Sequence, residues 1–231
     1  MRLISIIYII FSVTIANAQI KNGKITYNIV FDETDMKDFD IYKLALSSAD
    51  KLEYTLLFNS QSSIFYIEPI ISDDLSYNYA KAFVGLPNKI YHNLKDSVLT
   101  YNNSENSMNT QKEEFLITYK MKNKWVMHNQ SKKIGNYLCY KATTFEEVES
   151  GGQSIVEPVV AWYCPQIPFG YGPKGYGNLP GVILELQVRN VLFGAKIINF
   201  DLKNIVIEKP KRGELVTKEE FLKIIRKRSE N

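Results

Sequence analysis

Histidine and cysteine are scarce in this chain, with two of each in 231 residues, and His92 and His128 stand far apart without cysteines or acids clustered beside them. A zinc site gathers three or four such ligands, so no metal site is indicated. A histidine-based triad likewise has no recognisable motif to start from. Charge of one sign is also lacking. The 28 Lys and Arg against 25 Asp and Glu leave a formal net charge of +3, without the concentrated basic face of a nucleic-acid binder. Beyond the N-terminus no run is long and apolar enough to cross a bilayer as a helix. Gly-Lys-Ser and Gly-Lys-Thr do not occur, which removes a Walker-type phosphate loop.

The first thing present is an N-terminal signal. Met1-Arg2, the apolar stretch Leu3 to Ile15 and then Ala16-Asn17-Ala18 give a charged end, an apolar segment and a small-x-small site. The segment is shorter than the ~20 residues of a membrane span. Residues 1–18 therefore read as a signal peptide cleaved after Ala18, the alternative being an uncleaved anchor helix. No cysteine follows the site, so a lipid anchor is not indicated. The expectation is an exported protein of the periplasm, the outer-membrane surface or the exterior, with no transmembrane span in the mature chain.

Apolar residues make up 45% of the chain and aromatics 13%, a balance that leans toward sheet. Period-two alternation recurs from end to end. Ile25, Tyr27, Ile29 and Phe31 share one face, as do Leu52, Tyr54, Leu56 and Phe58, and Val182, Leu184, Leu186 and Val188. Further short strands are expected over residues 64–68, 95–101, 115–121, 125–129, 195–202 and 204–208. About ten strands joined by polar turns predict a mainly β fold. The expected form is one large curved antiparallel sheet, a half-barrel-like meander making a single domain over residues 19–231. So wide a sheet curls and needs a cover on its concave face. One or two helices are expected to supply it. Thr217-Lys-Glu-Glu220 is a capping box with Phe221, Ile224 and Ile225 as an apolar stripe behind it, and a weaker pattern runs from Asp38 to Asp50.

Gly151-Gly152 is a two-residue hairpin signal between two strand-like runs. Centring the turn there pairs Ser150 with Gln153 and, counting outward, sets Cys139 opposite Cys164. Parity from the turn makes that a non-hydrogen-bonded pair with Cα atoms about 4.5 Å apart, inside the range a disulfide tolerates. Pro158 cannot donate to the ladder, and a bulge there would shift the register. The two outcomes are a disulfide and a pair of buried free thiols.

Gly170-Tyr-Gly-Pro-Lys-Gly175 formally matches G-x-G-x-x-G. That fingerprint needs a helix opening within it to receive a pyrophosphate. Here Pro173 and Pro180 interrupt the segment and a strand pattern follows, so no nucleotide or other cofactor is expected. The prolines fix φ at several points, which makes a shaped loop. Tyr171 and Tyr176 then either line an apolar mouth or plug the end of the sheet. Trp162, Tyr171, Tyr176, Leu179 and Pro180 are the candidate binding residues.

Ala161-Trp-Tyr-Cys-Pro-Gln-Ile-Pro168, Gly172-Pro173 and Tyr176-Gly-Asn-Leu-Pro-Gly-Val-Ile-Leu-Glu-Leu186, with Ile134-Gly135 and Cys139-Tyr-Lys-Ala142 upstream, resemble the GLPGLI family of exported bacterial proteins. The name-giving motif falls on Asn178, Leu179, Pro180, Gly181, Val182 and Ile183. Asn178 replaces its first Gly, Val182 replaces a Leu, and Cys164 stands where Thr is expected. The resemblance implies export and a β-rich fold; the family's function is unknown. At the level of fold alone, the pieces also look like periplasmic lipoprotein-carrier half-barrels.

Three functions follow as expectations. The first is a non-catalytic envelope module that binds a hydrophobic ligand or docks to an outer-membrane transport or assembly partner. The second is a periplasmic hydrolase using carboxylates such as Glu146, Glu147, Glu157 and Glu185. The third is a passive structural component of the envelope.

Overall fold

The computed structural model describes residues 20–32, 40–70, 74–87, 89–103, 114–120, 123–150 and 153–229. The expected signal peptide and the Gly151-Gly152 turn lie outside them. Strands are β1 (Asn22–Phe31), β2 (Glu53–Asn59), β3 (Ser62–Ile67), β4 (Lys89–Asn93), β5 (Val98–Asn102), β6 (Phe115–Lys120), β7 (Val126–Ile134), β8 (Tyr137–Ser150), β9 (Gln153–Cys164), β10 (Val182–Val188), β11 (Val191–Phe200) and β12 (Glu214–Thr217). Helices are α1 (Asp40–Leu46), α2 (Leu75–Val84) and α3 (Lys218–Ser229). All strands join one open sheet in the order β12-β6-β5-β4-β3-β2-β1-β11-β10-β9-β8-β7.

Two antiparallel meanders, β1 to β6 and β7 to β11, meet at the β1–β11 pair. That order dictates curvature. β6 and β7 stand ten places apart, which is about 48 Å across a flat sheet at ~4.8 Å per strand. Yet only residues 121–125 connect them, and such a link reaches about 21 Å at full extension. The sheet therefore bends its two limbs toward each other.

The concave face holds one continuous core that includes Ile25, Tyr27, Tyr54, Leu56, Phe58, Phe65, Leu99, Leu186 and Phe193. α1 and α2 close part of it. Tyr42 of α1 meets Phe31 and Phe83 edge-on at 6.1 and 5.4 Å. The sequence pattern anticipated α1 and α3 but not α2, although Asp74 caps its start and Gly85 ends it in the left-handed conformation. The α3 capping box forms as expected, with the Glu220 amide donating to Thr217 Oγ1 at 3.2 Å and the Thr217 amide donating to Glu220 Oε2 at 2.8 Å.

Two details depart from the plain antiparallel meander. β12 runs parallel to β6, which a long return connection permits. The alternating residues 204–208 form no strand, because the chain there crosses the strand ends instead of running along them. It leaves β11 at Phe200 beside Asn22 of β1, whose side chain donates to the Leu202 carbonyl, and reaches Asn102 of β5, which donates to the Arg212 carbonyl at 2.7 Å.

Candidate functional site

The segment from Pro165 to Gly181 leaves β9, crosses the concave face to β3 and β4, and returns to β10. It is extended for its first half, so Ile167, Phe169, Tyr171 and Pro173 point inward in turn and all are buried. Phe169 and Tyr171 pack on Phe58 at 5.0 and 6.2 Å. The loop plugs the sheet, which is one of the two outcomes left open above. At its tip Gly175 adopts φ +80° and lies so close to Leu99 that a Cβ would overlap that side chain, so only glycine fits. Asn178 sits at φ +62°. Asparagine tolerates the left-handed region better than other side chains, which is why it can stand where the family motif has Gly.

The plug leaves a cleft of about 280 Å³ between the two limbs, lined by Leu86, Tyr101, Tyr119, Glu146, Lys174, Tyr176 and Lys218 among others. Each element delivers its residue for a local reason. Leu99 and Tyr101 share a face of β5 with Tyr119 of β6, and the two tyrosine rings meet edge-on at 6.0 Å. Glu146 pairs across the strands with Glu157, on the same face as buried Val159. Lys174 lies in a single 3-10 turn at φ 58°, ψ 16°. A non-glycine residue held there costs of order 1 kcal/mol. Lys218 opens α3 and places its ammonium 5.2 Å over the Tyr119 ring.

Lys174 is the centre of this arrangement. Its ammonium is 3.5 Å from Glu146, and its side chain is only 23% exposed. Burial pulls its pKa below the usual lysine value; Glu146 opposes that shift, while Arg189 and Lys218 add to it. Tyr176 hydrogen-bonds Glu146, and burial followed by the carboxylate's charge pushes its phenol up. Burial raises Tyr101 to about 12 and Tyr119 as well. All three phenols thus remain neutral donors. Trp125 seals the rear, donating from Nε1 to the Gly177 carbonyl at 2.8 Å and meeting Tyr176 edge-on. The cleft therefore presents two ammonium groups, one carboxylate and three aromatic walls. Arg189 is engaged by Glu157 at 2.8 Å.

The expected binding residues separate. Only Tyr176 lines the cleft. Tyr171 is fully buried with its hydroxyl unpartnered among the described residues, next to His92 at 5.5 Å. Leu179 is buried, and Pro180 faces solvent. Trp162 lies on the convex face, where Lys132 sits 4.5 Å over its ring and 2.6 Å from Glu185. Lys174, Lys218, Tyr101 and Tyr119 were not singled out from the sequence. A lysine between proline and glycine was the one available sign of strain; nothing local linked it to strands β5 and β6.

Among the described residues no group of three or more His, Cys, Asp or Glu could hold a metal ion, and no helix is long and apolar enough to cross a membrane. No curated protein matches the chain. Solved structures of PNGF-II in space groups C2 and P21 are similar in fold, with TM-scores of 0.56 and 0.51 at 16% and 14% identity over 90% of this chain. The chain spans about a third of the length of those proteins, covering 33% of each. Residues 153–185 match the family model described as "Protein of unknown function (Porph_ging)". That stretch contains the Trp-bearing end of β9, the plug and the Asn178-Leu-Pro-Gly-Val-Ile183 motif, and it marks the chain as carrying the signature of the GLPGLI family.

Proposed function

We propose that this is an exported, non-catalytic binding module of the cell envelope whose ligand site is the cleft around Lys174. The observation that carries the reading is the placement of a partly desolvated lysine, in a strained backbone conformation, among three tyrosine rings and a second lysine. Strain of this kind persists where the surrounding fold imposes it and concentrates at ligand sites. The concave apolar face is filled by the chain's own loop, so a ligand is held at the cleft and not in the interior. Two ammonium groups against one carboxylate favour an acidic group on the ligand, and the aromatic walls favour a flat or apolar body beside it.

The recurrence of the fold as a third of a longer chain fits a module that supplies recognition to something larger. An outer-membrane partner of this kind is compatible with the cleft being the contact point. The carboxylate-hydrolase reading has less support. Glu146 and Glu157 are cross-strand partners, but each is held by a cation, an arrangement suited to fixing charge and not to exchanging a proton.

A fluorescence titration with anilinonaphthalene sulfonate, an aromatic anion, tests the site. Saturable binding that benzoate displaces is expected, with at least a tenfold loss in Lys174→Ala. Undiminished binding by that variant would reject the cleft as the site.

A further inference from the structure

We infer that Cys139 and Cys164 are joined by a cross-strand disulfide that pins both roots of the plug, made during folding and sealed once the fold closes. In the structure both are free, fully buried thiols, so the geometry on view is that of the reduced pair. The β8–β9 register runs unbroken from Ser150↔Gln153 to Tyr140↔Tyr163. The next pair outward is Cys139 with Cys164. No bulge occurs at Pro158, which pairs with Phe145 in step. Its missing N–H falls on the side away from β8, one row past Val159↔Val188, where β10 has already ended. Parity therefore survives, and the cysteines occupy a non-hydrogen-bonded pair, with Cα atoms about 4.5 Å apart, a separation a disulfide spans.

Paired residues project to one face. Cys139 Sγ donates to the Tyr137 carbonyl at 3.8 Å and Cys164 Sγ to the Gln166 side-chain oxygen at 3.9 Å, and the nearness of Cys139, with help from the Gln166 and Ile167 amides, pulls the Cys164 thiol down to about 7. Cys164 is also the residue from which the plug departs. Its carbonyl accepts from the Ile167 amide at 3.1 Å, and Ile167 in turn accepts from the amide of Val182, the first residue of β10. Gly181 presses on the Cys164 carbonyl so closely that a Cβ would overlap it. A bond from β8 to this point fixes the place where both ends of the loop meet, and hence the base of the segment that carries Lys174 and Tyr176.

The chemistry needs a disulfide-bearing dithiol oxidant, the class found in oxidising compartments. One cysteine thiolate attacks the oxidant's disulfide, giving a mixed disulfide and one released thiolate. The second cysteine then displaces the oxidant's other sulfur. The protein loses two protons and two electrons, and the oxidant leaves as a dithiol. Neither sulfur is exposed in the fold, so exchange takes place before folding buries the pair.

The test uses the unmodified full chain from a secreting host, unfolded in denaturant with N-ethylmaleimide before any reduction, and weighed intact. No alkylation is expected until a reductant is added, and then two groups per chain. The oxidised monomer should also resist dithiothreitol until denatured and melt on the order of 10 °C above the reduced form. Two alkyl groups without reduction, or a disulfide-linked dimer on a non-reducing gel, would overturn the inference. The cleft's binding activity has no part in this readout.

Discussion

Two lysine–glutamate pairs sit on opposite faces of the same limb. On the convex face Lys132 of β7 meets Glu185 of β10 at 2.6 Å across the Trp162 ring. On the concave face Lys174 of the plug meets Glu146 of β8 at 3.5 Å beside Tyr176. The ingredients are the same, a cation, a carboxylate and an aromatic ring. The first pair is made by strands of one meander, Lys132 reaching across β8 and β9 over the Trp162 ring, so it needs no contact from outside that meander. The second joins a loop tip to a strand and to the opposite limb, so it exists only if the plug is seated. A surface pair of the first kind contributes little. The second holds a more desolvated ammonium, with Lys174 23% exposed against 36% for Lys132, and losing its partner therefore costs more.

Unseating the plug gives the largest expected effect. Gly175→Ala forces a Cβ against Leu99 at φ +80° and should destabilise the protein by about 4 kcal/mol, measured by urea unfolding. The convex pair should survive that change, so loss of cleft binding with little change in stability would blur the contrast.

The next effect is a pH dependence carried by a histidine on the concave side. His92 lies beneath the plug, 3% exposed, with Nε2 unpartnered among the described residues. Burial lowers its pKa from 6.5 to about 4, with Asp96 opposing part of the shift. Because the folded value is depressed, the unfolded chain takes up the proton first as pH falls. Stability is therefore full above about pH 6.5, declines toward pH 4 and loses about 3 kcal/mol on the way. Comparing wild type with His92→Phe at each pH removes the contribution of the carboxylates. Parallel curves for the two proteins would refute the assignment.

The smallest effect compares the pairs directly. Glu146→Ala leaves Lys174 without its carboxylate and should cost about 2 kcal/mol, whereas Glu185→Ala should cost under about 1 kcal/mol. Equal losses in thermal or urea denaturation would erase the distinction between the two faces.

How much of this was legible differs by element. The β8–β9 hairpin register could be counted from Gly151-Gly152 because side chains alternate with a period of two and a two-residue turn fixes the count. The Thr217–Glu220 box announced α3 because the cap and its partner lie within one turn. α2 has a local cap in Asp74, an end in Gly85 and a helical spacing of Tyr77, Ala80 and Val84, but the helix it packs against, α1, ends at Leu46, 29 residues before Leu75, and so is not announced by its own stretch of sequence. Residues 204–208 alternate like a strand, but no ladder edge lies along their path. Trp162 looked like a binding residue because it is aromatic beside the motif, and strand alternation turned it outward.

By itself the amino-acid order determined what depends on neighbours in the chain. It set the alternation that makes strands, the turn that registers the hairpin, the cap that starts a helix, and the proline and glycine pattern that stiffens the plug. Only the tertiary structure decided which way the sheet curls, that a short link draws β6 toward β7, and that Lys174 comes to rest among tyrosines from β5, β6 and its own loop. Those outcomes depend on contacts between residues far apart in the chain, and such contacts form only when burial of the shared core outweighs the entropy of closing long loops.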